Sequence, residues 1–370
     1  MVLTNINKIF MIGDLHFGVR NNSLVWVDDM FDYIDKFMEN LPTHGFNPET
    51  DILMLTGDIF HSREFLNVMI GNKVLEIFGR MTKTFKRGVF VILGNHDLYY
   101  KRNNKVHTLK FIEQAFDNFH VFSEPERLAL NDKINFLMLP WHDDIPMLDE
   151  AIASHTDCEY LFCHMDISEF KYNKSRKVDK GVSRESVKRF KKIYAGHLHH
   201  KQESGNILYL GSPYQMDWGD SETQRGYYVV SVVDDMLHDE FFVNNTSPTF
   251  VACAFEDIMN MNFEHARKVM HNNYVSINIP TSAARNFAYN MFLEMTKSKG
   301  IQSKKLEFTP YDDSYGTEDT KFVSTADFNM VNTAKTLLED RKYSHAETEN
   351  ILAYFNELHT RTKNNDKDER

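Results

Sequence analysis

The sequence predicts an α/β fold: a β-sandwich flanked by helices and finished by antiparallel strands, with a smaller α+β unit and C-terminal helices after it. Three observations predict this. Five apolar runs, over 8–12, 52–56, 89–93, 160–163 and 193–195, read as strands. Segments 25–39, 66–85 and 107–116 read as the helices between the earlier strands. Beyond His199 the pattern changes to short strands, over 207–210, 227–233 and 240–243, set between turn residues.

The run Asn244-Asn245-Thr246-Ser247-Pro248 breaks that pattern and ends a first domain, 1–245. A second unit, 246–310, holds a strand over 275–279, a helix over 283–297 and a strand over 304–308. Residues 311–324 are rich in Asp, Gly, Ser and Thr and read as a linker. Two amphipathic helices are expected within 325–362. The first aligns Phe328, Val331, Ala334, Leu337 and Leu338; the second opens with a capping box, Ser344-x-x-Glu347, and aligns Ile351, Tyr354, Phe355 and Leu358. Those stripes need a surface to cover them, either on their own chain or on a partner. The polar tail 363–370 is expected to be disordered.

Composition narrows the setting. With 370 residues, 42% of them hydrophobic, the chain can bury a sizeable core in two or three domains. No apolar stretch reaches the length of a membrane span, and the run over 9–12 is too short for a signal peptide. The three cysteines, Cys158, Cys163 and Cys253, form no Cys-x-x-Cys pair, so a reducing compartment is expected. A net charge of −11 argues against strong non-specific nucleic-acid binding. Two basic stretches are local exceptions. Lys101, Arg102 and Lys105 follow Tyr99 and Tyr100, and Lys171, Lys174, Arg176, Lys177 and Lys180 follow His164. Both are expected on loops at the strand ends, where cations beside aromatics suit phosphate contact and base stacking, although polar loops are also ordinary. The run Lys188, Arg189, Lys191 and Lys192 reads as the solvated face of a helix.

Each of the five strand runs ends in polar groups of metal-ligand type: Gly13-Asp14-Leu15-His16, Gly57-Asp58, Gly94-Asn95-His96-Asp97, His164, and Gly196-His197-Leu198-His199. Ligands in open α/β sheets bind at that edge. Taken singly, each block has an ordinary explanation: a Gly-Asp turn, a helix cap at Asn-His-Asp, a core histidine at 164. All five in this order point to two cations about 3.5–4 Å apart, which can hold both a nucleophile and a phosphate. Asp14/His16 and His197/His199 are expected to place both side chains on one side of an extended chain, by the two-residue strand repeat. A mixed imidazole, carboxylate and amide shell without thiolate suits Mn²⁺, Fe²⁺ or Zn²⁺. Cys163, next to His164, points the other way on a strand and reads as core.

This series resembles the calcineurin-like metallophosphoesterases. Within it, Gly57-Asp58-Ile59-Phe60-His61, Gly94-Asn95-His96-Asp97 and Gly211-Ser212-Pro213 resemble the SbcD nucleases, bacterial and phage relatives of the eukaryotic Mre nuclease. The motifs cover 7–245; beyond that the likeness is one of domain order. The resemblance implies that Asp14, His16, Asp58 and His199 hold one metal and that Asp58, Asn95, His164 and His197 hold the other, with Asp58 bridging. It favours manganese. It implies that His96 assists the leaving oxygen, that Asp97 orients His96 or else caps a helix, and that His61 lies near the phosphate. A phosphate-contact role for Gly211-Ser212-Pro213 competes with an ordinary turn.

The resemblance further implies a DNA nuclease, exonuclease and endonuclease, serving end processing in recombination, repair or replication. It implies a capping domain over the site, a homodimer within a heterotetramer, and an ATPase subunit of SbcC/Rad type whose coiled coil the stripe Ile351, Tyr354, Phe355 and Leu358 would grip. No Gly-x-x-x-x-Gly-Lys-Ser/Thr loop occurs here, so ATP-driven steps would belong to that partner. The expected setting is the bacterial cytoplasm, with a phage protein in its infected host as the narrower case. Two rivals stand beside the nuclease. A phosphatase or phosphodiesterase on non-DNA substrates shares the chemistry, but the Gly-Asp-x-x-Asp-Arg-Gly and Gly-Asn-His-Glu features of protein phosphatases are absent. A non-catalytic scaffold would be expected to lose ligands, and all seven are present.

Overall fold

The computed structural model describes residues 1–172, 176–221, 223–260, 262–280, 303 and 305–311. The helix expected over 283–297, the linker beyond Tyr311, the helices within 325–362 and the tail lie outside the described residues.

Two sheets pack face to face. One has six strands in the order Met236–Val243, Gly226–Val233, Lys8–Ile12, Asp51–Leu55, Val89–Ile92 and Phe119–Phe122. Its last four strands are parallel, and Gly226–Val233 pairs antiparallel with both of its neighbours. The other has seven strands in the order Val2–Leu3, Glu126–Leu130, Ile134–Leu139, Tyr160–His164, Lys192–Gly196, Ile207–Tyr209 and Gln202–Ser204, with a parallel centre. The alternation of strand side chains sorts the apolar residues into three cores. Ile9, Met11, Ile52, Met54, Phe90 and Ile92 meet Phe136, Met138, Tyr160, Phe162 and Tyr194 between the sheets. Phe10, Ile12, Leu53, Leu55, Val89 and Val91 face helices Leu24–Asn40 and Val68–Thr84. On the far side, Leu161, Cys163, Ile193 and Ala195 pack with Leu148 and Ile152 of helix Ile145–Ser154. Both faces of the central strands are therefore apolar, which is why they read as unbroken hydrophobic runs. Cys163 is core, as expected.

Several elements differ from the sequence reading. The helix expected over 107–116 spans only Lys110–Ala115, because Asn103–His107 pairs with Leu98–Tyr100 as a hairpin. Lys101 and Arg102 form its turn and Lys105 lies on its second strand, so these residues belong to a hairpin and not to an irregular loop. The segment before strand Lys192–Gly196 is one short helix, Arg184–Val187. Arg189, expected on a solvated face, instead donates to the carbonyls of Ile152, His155 and Cys158.

After residue 248 a separate parallel sheet forms, in the order Phe250–Ala254, Tyr274–Pro280 and Lys305–Tyr311. It has its own core of Phe255, Ile258, Met270, Val275, Ile277 and Ile279. An aromatic stack fixes its first strands to the sandwich. Trp26 lies 4.5 Å from Tyr274 at 10° and 5.3 Å from Phe250 at 18°, and Tyr274 Oη donates to Asp29 at 2.7 Å.

Candidate metal centre

The central parallel strands of both sheets end at one edge, and each delivers its polar block there. Lys8–Ile12 leads to Asp14 and His16, Asp51–Leu55 to Asp58, and Val89–Ile92 to Asn95 and His96; from the other sheet come His164 and, after Gly196, His197 and His199. The loops make their turns by left-handed backbone at His16 (φ 49°), Asp58 (φ 49°) and His197 (φ 87°). This corrects the expectation for Asp14/His16 and His197/His199: neither dyad is extended, so the two-residue strand repeat does not aim them. Non-glycine residues at positive φ are uncommon and cluster at functional sites. Two glycines make the turns fit. Gly57 has φ 92° and sits against the Gly94 backbone, while a Cβ on Gly94 would collide with the Asp58 carboxylate and amide.

The side chains converge in two groups that share Asp58. In the first, His16 Nε2 lies 3.0 Å from His199 Nε2 and 3.4 Å from Asp58 Oδ2. In the second, Asn95 Oδ1 lies 3.1 Å from His164 Nε2 and 2.9 Å from His197 Nδ1, and His164 Nε2 is 3.4 Å from the same Asp58 Oδ2. Asp14, fully buried, accepts from the His197 amide at 3.1 Å and lies 3.5 Å from His164 Nδ1. All seven residues expected as ligands are therefore drawn into one centre.

Hydrogen bonds to the far side of each ring decide which nitrogen is left to bind. His164 Nδ1 faces the Thr56 carbonyl at 2.6 Å, which can only accept, so Nδ1 carries a proton and Nε2 is the nitrogen left facing Asp58 and Asn95. His197 Nε2 lies 3.3 Å from Asp166 Oδ1, and Tyr172 Oη donates to that same oxygen at 2.6 Å. Nδ1 of His197 is then the nitrogen that could take a cation, with a carboxylate behind the ring as in many histidine metal sites. Burial pushes the His16 and His199 imidazoles below their ordinary values, against the nearby carboxylates, which keeps them neutral as ligands must be. Burial would also push His164 down, yet the charge and hydrogen bond of Asp58 hold it up to about 9. Burial acts to raise Asp58, and the charges of His164 and His16 hold it well below the usual carboxylate range. The donor set of imidazoles, an amide oxygen and a shared carboxylate fits a pair of divalent cations, whose binding would displace the second proton that Asp58 holds on His164.

His96 and His61 line the first group. His16, His61 and His96 have ring nitrogens within 4.8 Å of one another, and the His61 and His96 rings stack at 5.3 Å and 20°. His96 Nδ1 contacts the His61 carbonyl at 2.6 Å, so Nδ1 is the donor and Nε2 remains for a ligand. The role expected for Asp97 is corrected here. Its carboxylate accepts from the amides of Ile59 and Gly94 at 3.0 Å each, so it ties the Asp58 loop to the Asn95 loop, while the His61 carbonyl holds the His96 ring. Burial and the neighbouring Asp58 charge push Asp97 up to about 7.

Gly211-Ser212-Pro213 is structural. Ser212 is buried, its amide donates to the His199 carbonyl at 3.0 Å, and its hydroxyl donates to the Tyr214 carbonyl at 2.9 Å. The Arg225 guanidinium joins it, donating to the His199 carbonyl and to Ser212 Oγ at 2.7 Å, and pairing with Asp220 Oδ1 at 2.6 Å. Sequence reasoning missed Thr56, Asp166, Tyr172, Asp220 and Arg225. Of these only Asp166 carried a signal, standing two residues after His164. Among the residues expected to meet nucleic acid, Arg102 pairs with Asp143 at 3.1 Å and the Arg176 guanidinium lies over the Tyr172 ring at 4.8 Å. Lys177 bridges back to Lys171, and Lys174 lies outside the described residues.

The fold and this centre define the class: the chain belongs to the calcineurin-like phosphoesterase family, whose profile matches residues 7–224. Among particular relatives, it is 25% identical over 246 residues to exonuclease subunit 1 of Enterobacteria phage T4, covering 65% of this chain and 68% of that protein. It is also 25% identical over 226 residues to a provisionally named phosphoesterase, 244L, of Invertebrate iridescent virus 6, covering 58% of this chain and 73% of that one. Among the described residues no helix is long and apolar enough to cross a membrane.

Proposed function

We propose that this chain is a two-metal-dependent DNA phosphodiesterase, the nuclease subunit of an SbcCD-like complex that processes DNA ends in recombination, repair or replication. The observation that carries the reading is the sharing of Asp58 Oδ2 by two groups of lone-pair donors, His16 and His199 on one side and Asn95, His164 and His197 on the other. Asp14 completes the first set. Bound there, two divalent ions would supply Lewis-acid stabilisation of the phosphate and an activated water. Manganese is the ion we favour, over Fe²⁺ and Zn²⁺.

The protein's own groups then complete the reaction. His96, with Nδ1 held by the His61 carbonyl, has Nε2 as its remaining nitrogen, and in the doubly protonated imidazolium form that Nε2–H would protonate the departing ribose oxygen and leave the neutral ring. Its stacking on His61 fixes the ring plane, and His61 is a second contact for the phosphate. Substitution of His96 by Ala should leave the metal-binding groups in place and remove cleavage. DNA as substrate is supported by the likeness to an exonuclease subunit and by the basic residues Lys101, Arg102, Lys105, Arg176 and Lys177 on the segments that follow His96 and His164, with Lys174 beside them in sequence.

In this reading residues 1–245 are the nuclease domain and 246–310 a cap, joined through Trp26, Phe250 and Tyr274. Residues 311–324 are a linker. The stripe Ile351, Tyr354, Phe355 and Leu358 within 325–362 docks an ATPase subunit with a coiled coil, and two nuclease chains form a homodimer within a heterotetramer. The site of action is the cytoplasm of a bacterial host. The test is cleavage of end-labelled linear and hairpin DNA with Mn²⁺ by the parent chain and by Asp58→Asn, beside a generic phosphodiester. DNA cleavage lost in the variant supports the nuclease. Turnover of the small ester with no DNA cleavage, even with the ATPase partner added, moves the chain to the non-DNA phosphoesterase rival.

A further inference from the structure

The hairpin Leu98–His107 begins two residues after His96, and the residues at its tip take no part in the centre described above. Its root is fixed: Leu98 is buried, Thr108 donates its amide to the Asp97 carbonyl at 2.9 Å, and Asn104 Nδ2 donates to the Ser123 carbonyl at 2.9 Å. The turn carries one solvent-exposed ion pair, of Arg102 with Asp143. On this anchored platform Tyr99 and Tyr100 are 51% and 53% exposed. Their rings meet edge to face at 4.7 Å and 85°, an arrangement in which the edge of one ring meets one face of the other and does not cover the remaining faces. Lys101 and Lys105 add positive charge within the same few residues of a chain whose net charge is −11.

Aromatic faces beside cations recognise nucleobases on a phosphate backbone, and stacking is tolerant of base identity. Within a duplex the bases are already stacked above and below. Apart from the outer face of a terminal pair, only a base that has left the stack can offer its face to a tyrosine. We infer that Tyr99 and Tyr100 stack on unpaired nucleotides of a DNA end, with Lys101 and Lys105 at the adjoining phosphates, so that this hairpin presents a single strand to the metal centre. The inference rests on the nuclease reading and sharpens its substrate to frayed or single-stranded ends.

Binding of a labelled thymidine oligonucleotide and of a blunt duplex of equal length tests it, measured by anisotropy with full-length chains carrying Asp58→Asn so that no cleavage intervenes. The Tyr99→Ala/Tyr100→Ala pair should weaken single-strand binding by about tenfold or more, on the scale of one stacked base. The Tyr99→Phe/Tyr100→Phe pair, which keeps both ring faces, should bind as the parent does. The single alanine variants should each show part of the loss, and an unchanged thermal midpoint confirms that they fold. Parent-like binding by the double alanine variant overturns the inference. So does equal weakening on single strand and duplex, or a loss with phenylalanine as large as with alanine. Those results leave DNA cleavage by the wild-type chain intact and so spare the nuclease reading; a wild-type chain that neither binds nor cuts DNA removes both.

Discussion

The two halves of the centre are held by different means. On the Asn95 side, support reaches the imidazole rings themselves: the Thr56 carbonyl fixes His164, and Asp166, braced by Tyr172, fixes His197. On the His199 side, support reaches the backbone. The His199 carbonyl accepts from the Ser212 amide and the Arg225 guanidinium, and Arg225 is itself held by the buried Asp220. Ring support tunes how tightly a cation is held, whereas backbone support decides whether the loop is there at all. Damage on the first side should therefore appear as altered metal affinity, and damage on the second as lost stability.

The largest effect should come from the one residue both halves share. Asp58→Asn removes the bridging charge, and a loss of several kcal/mol of transition-state stabilisation lowers kcat by about 10³-fold. Steady-state hydrolysis of a small phosphodiester checks this; a drop below tenfold would mean that Asp58 does not bridge. Next in size, Arg225→Ala leaves buried Asp220 with only the His200 ring and the Met216 amide as partners, which costs up to about 3–5 kcal/mol. Urea unfolding measures it, and Arg225→Met combined with Asp220→Leu should recover most of the loss if the ion pair is the cause.

Acid should strike the same side. Burial acts to raise Asp220, but the His200 hydrogen bond and the Arg225 charge carry it down to about 2, below its unfolded value of 3.8. Its folded pKa is depressed, so it contributes about 2 kcal/mol above pH 4, and that contribution disappears as pH falls from 4 through 2. The stability gap between the parent and Asp220→Asn should narrow over that window; a constant gap would refute the assignment. Smaller still, Asp166→Ala should weaken metal affinity by about 10–100-fold without a matching fall in stability. Metal titration should show one of the two ions weakened more than the other. Equal weakening of both would erase the distinction between the halves. Tyr172→Phe, which removes one hydrogen bond to Asp166, should change affinity only a few-fold, in line with about 1 kcal/mol.

The difference between the halves also explains what the sequence made visible. Each residue proposed as a ligand followed an apolar strand run, so Asp14, Asp58, Asn95, His164 and His197 could be placed at strand ends from the apolar pattern alone. Helix Leu24–Asn40 was legible because its apolar positions recur with the helical period. The local path of the ligand loops was not legible: nothing in Asp-x-His announces the left-handed φ at His16, and strand alternation gave a wrong reason for a correct convergence. Backbone supports were hidden for a different cause. Arg225 lies 26 residues from the carbonyl it holds, and only the packing of the Gly226–Val233 strand beside Lys8–Ile12 brings the intervening turn back to the His199 loop. Asp97 was misjudged because its neighbour in sequence is His96, while its partners in space are amides of two other turns.

Strand Tyr160–His164 sends Tyr160 and Phe162 into the core between the sheets and Leu161 and Cys163 to the helix-covered face, and then ends on His164. A slip of one residue against Lys192–Gly196 would exchange the two sets. Both faces are greasy enough to tolerate such an error, so burial alone is a poor inspector of this pairing. The histidine at the end is a better one, because in the slipped strand it would turn away from Asp58. Ion binding would then act as proofreading for the folding chain, retaining the correctly aligned sheet and leaving misaligned copies without that stabilisation.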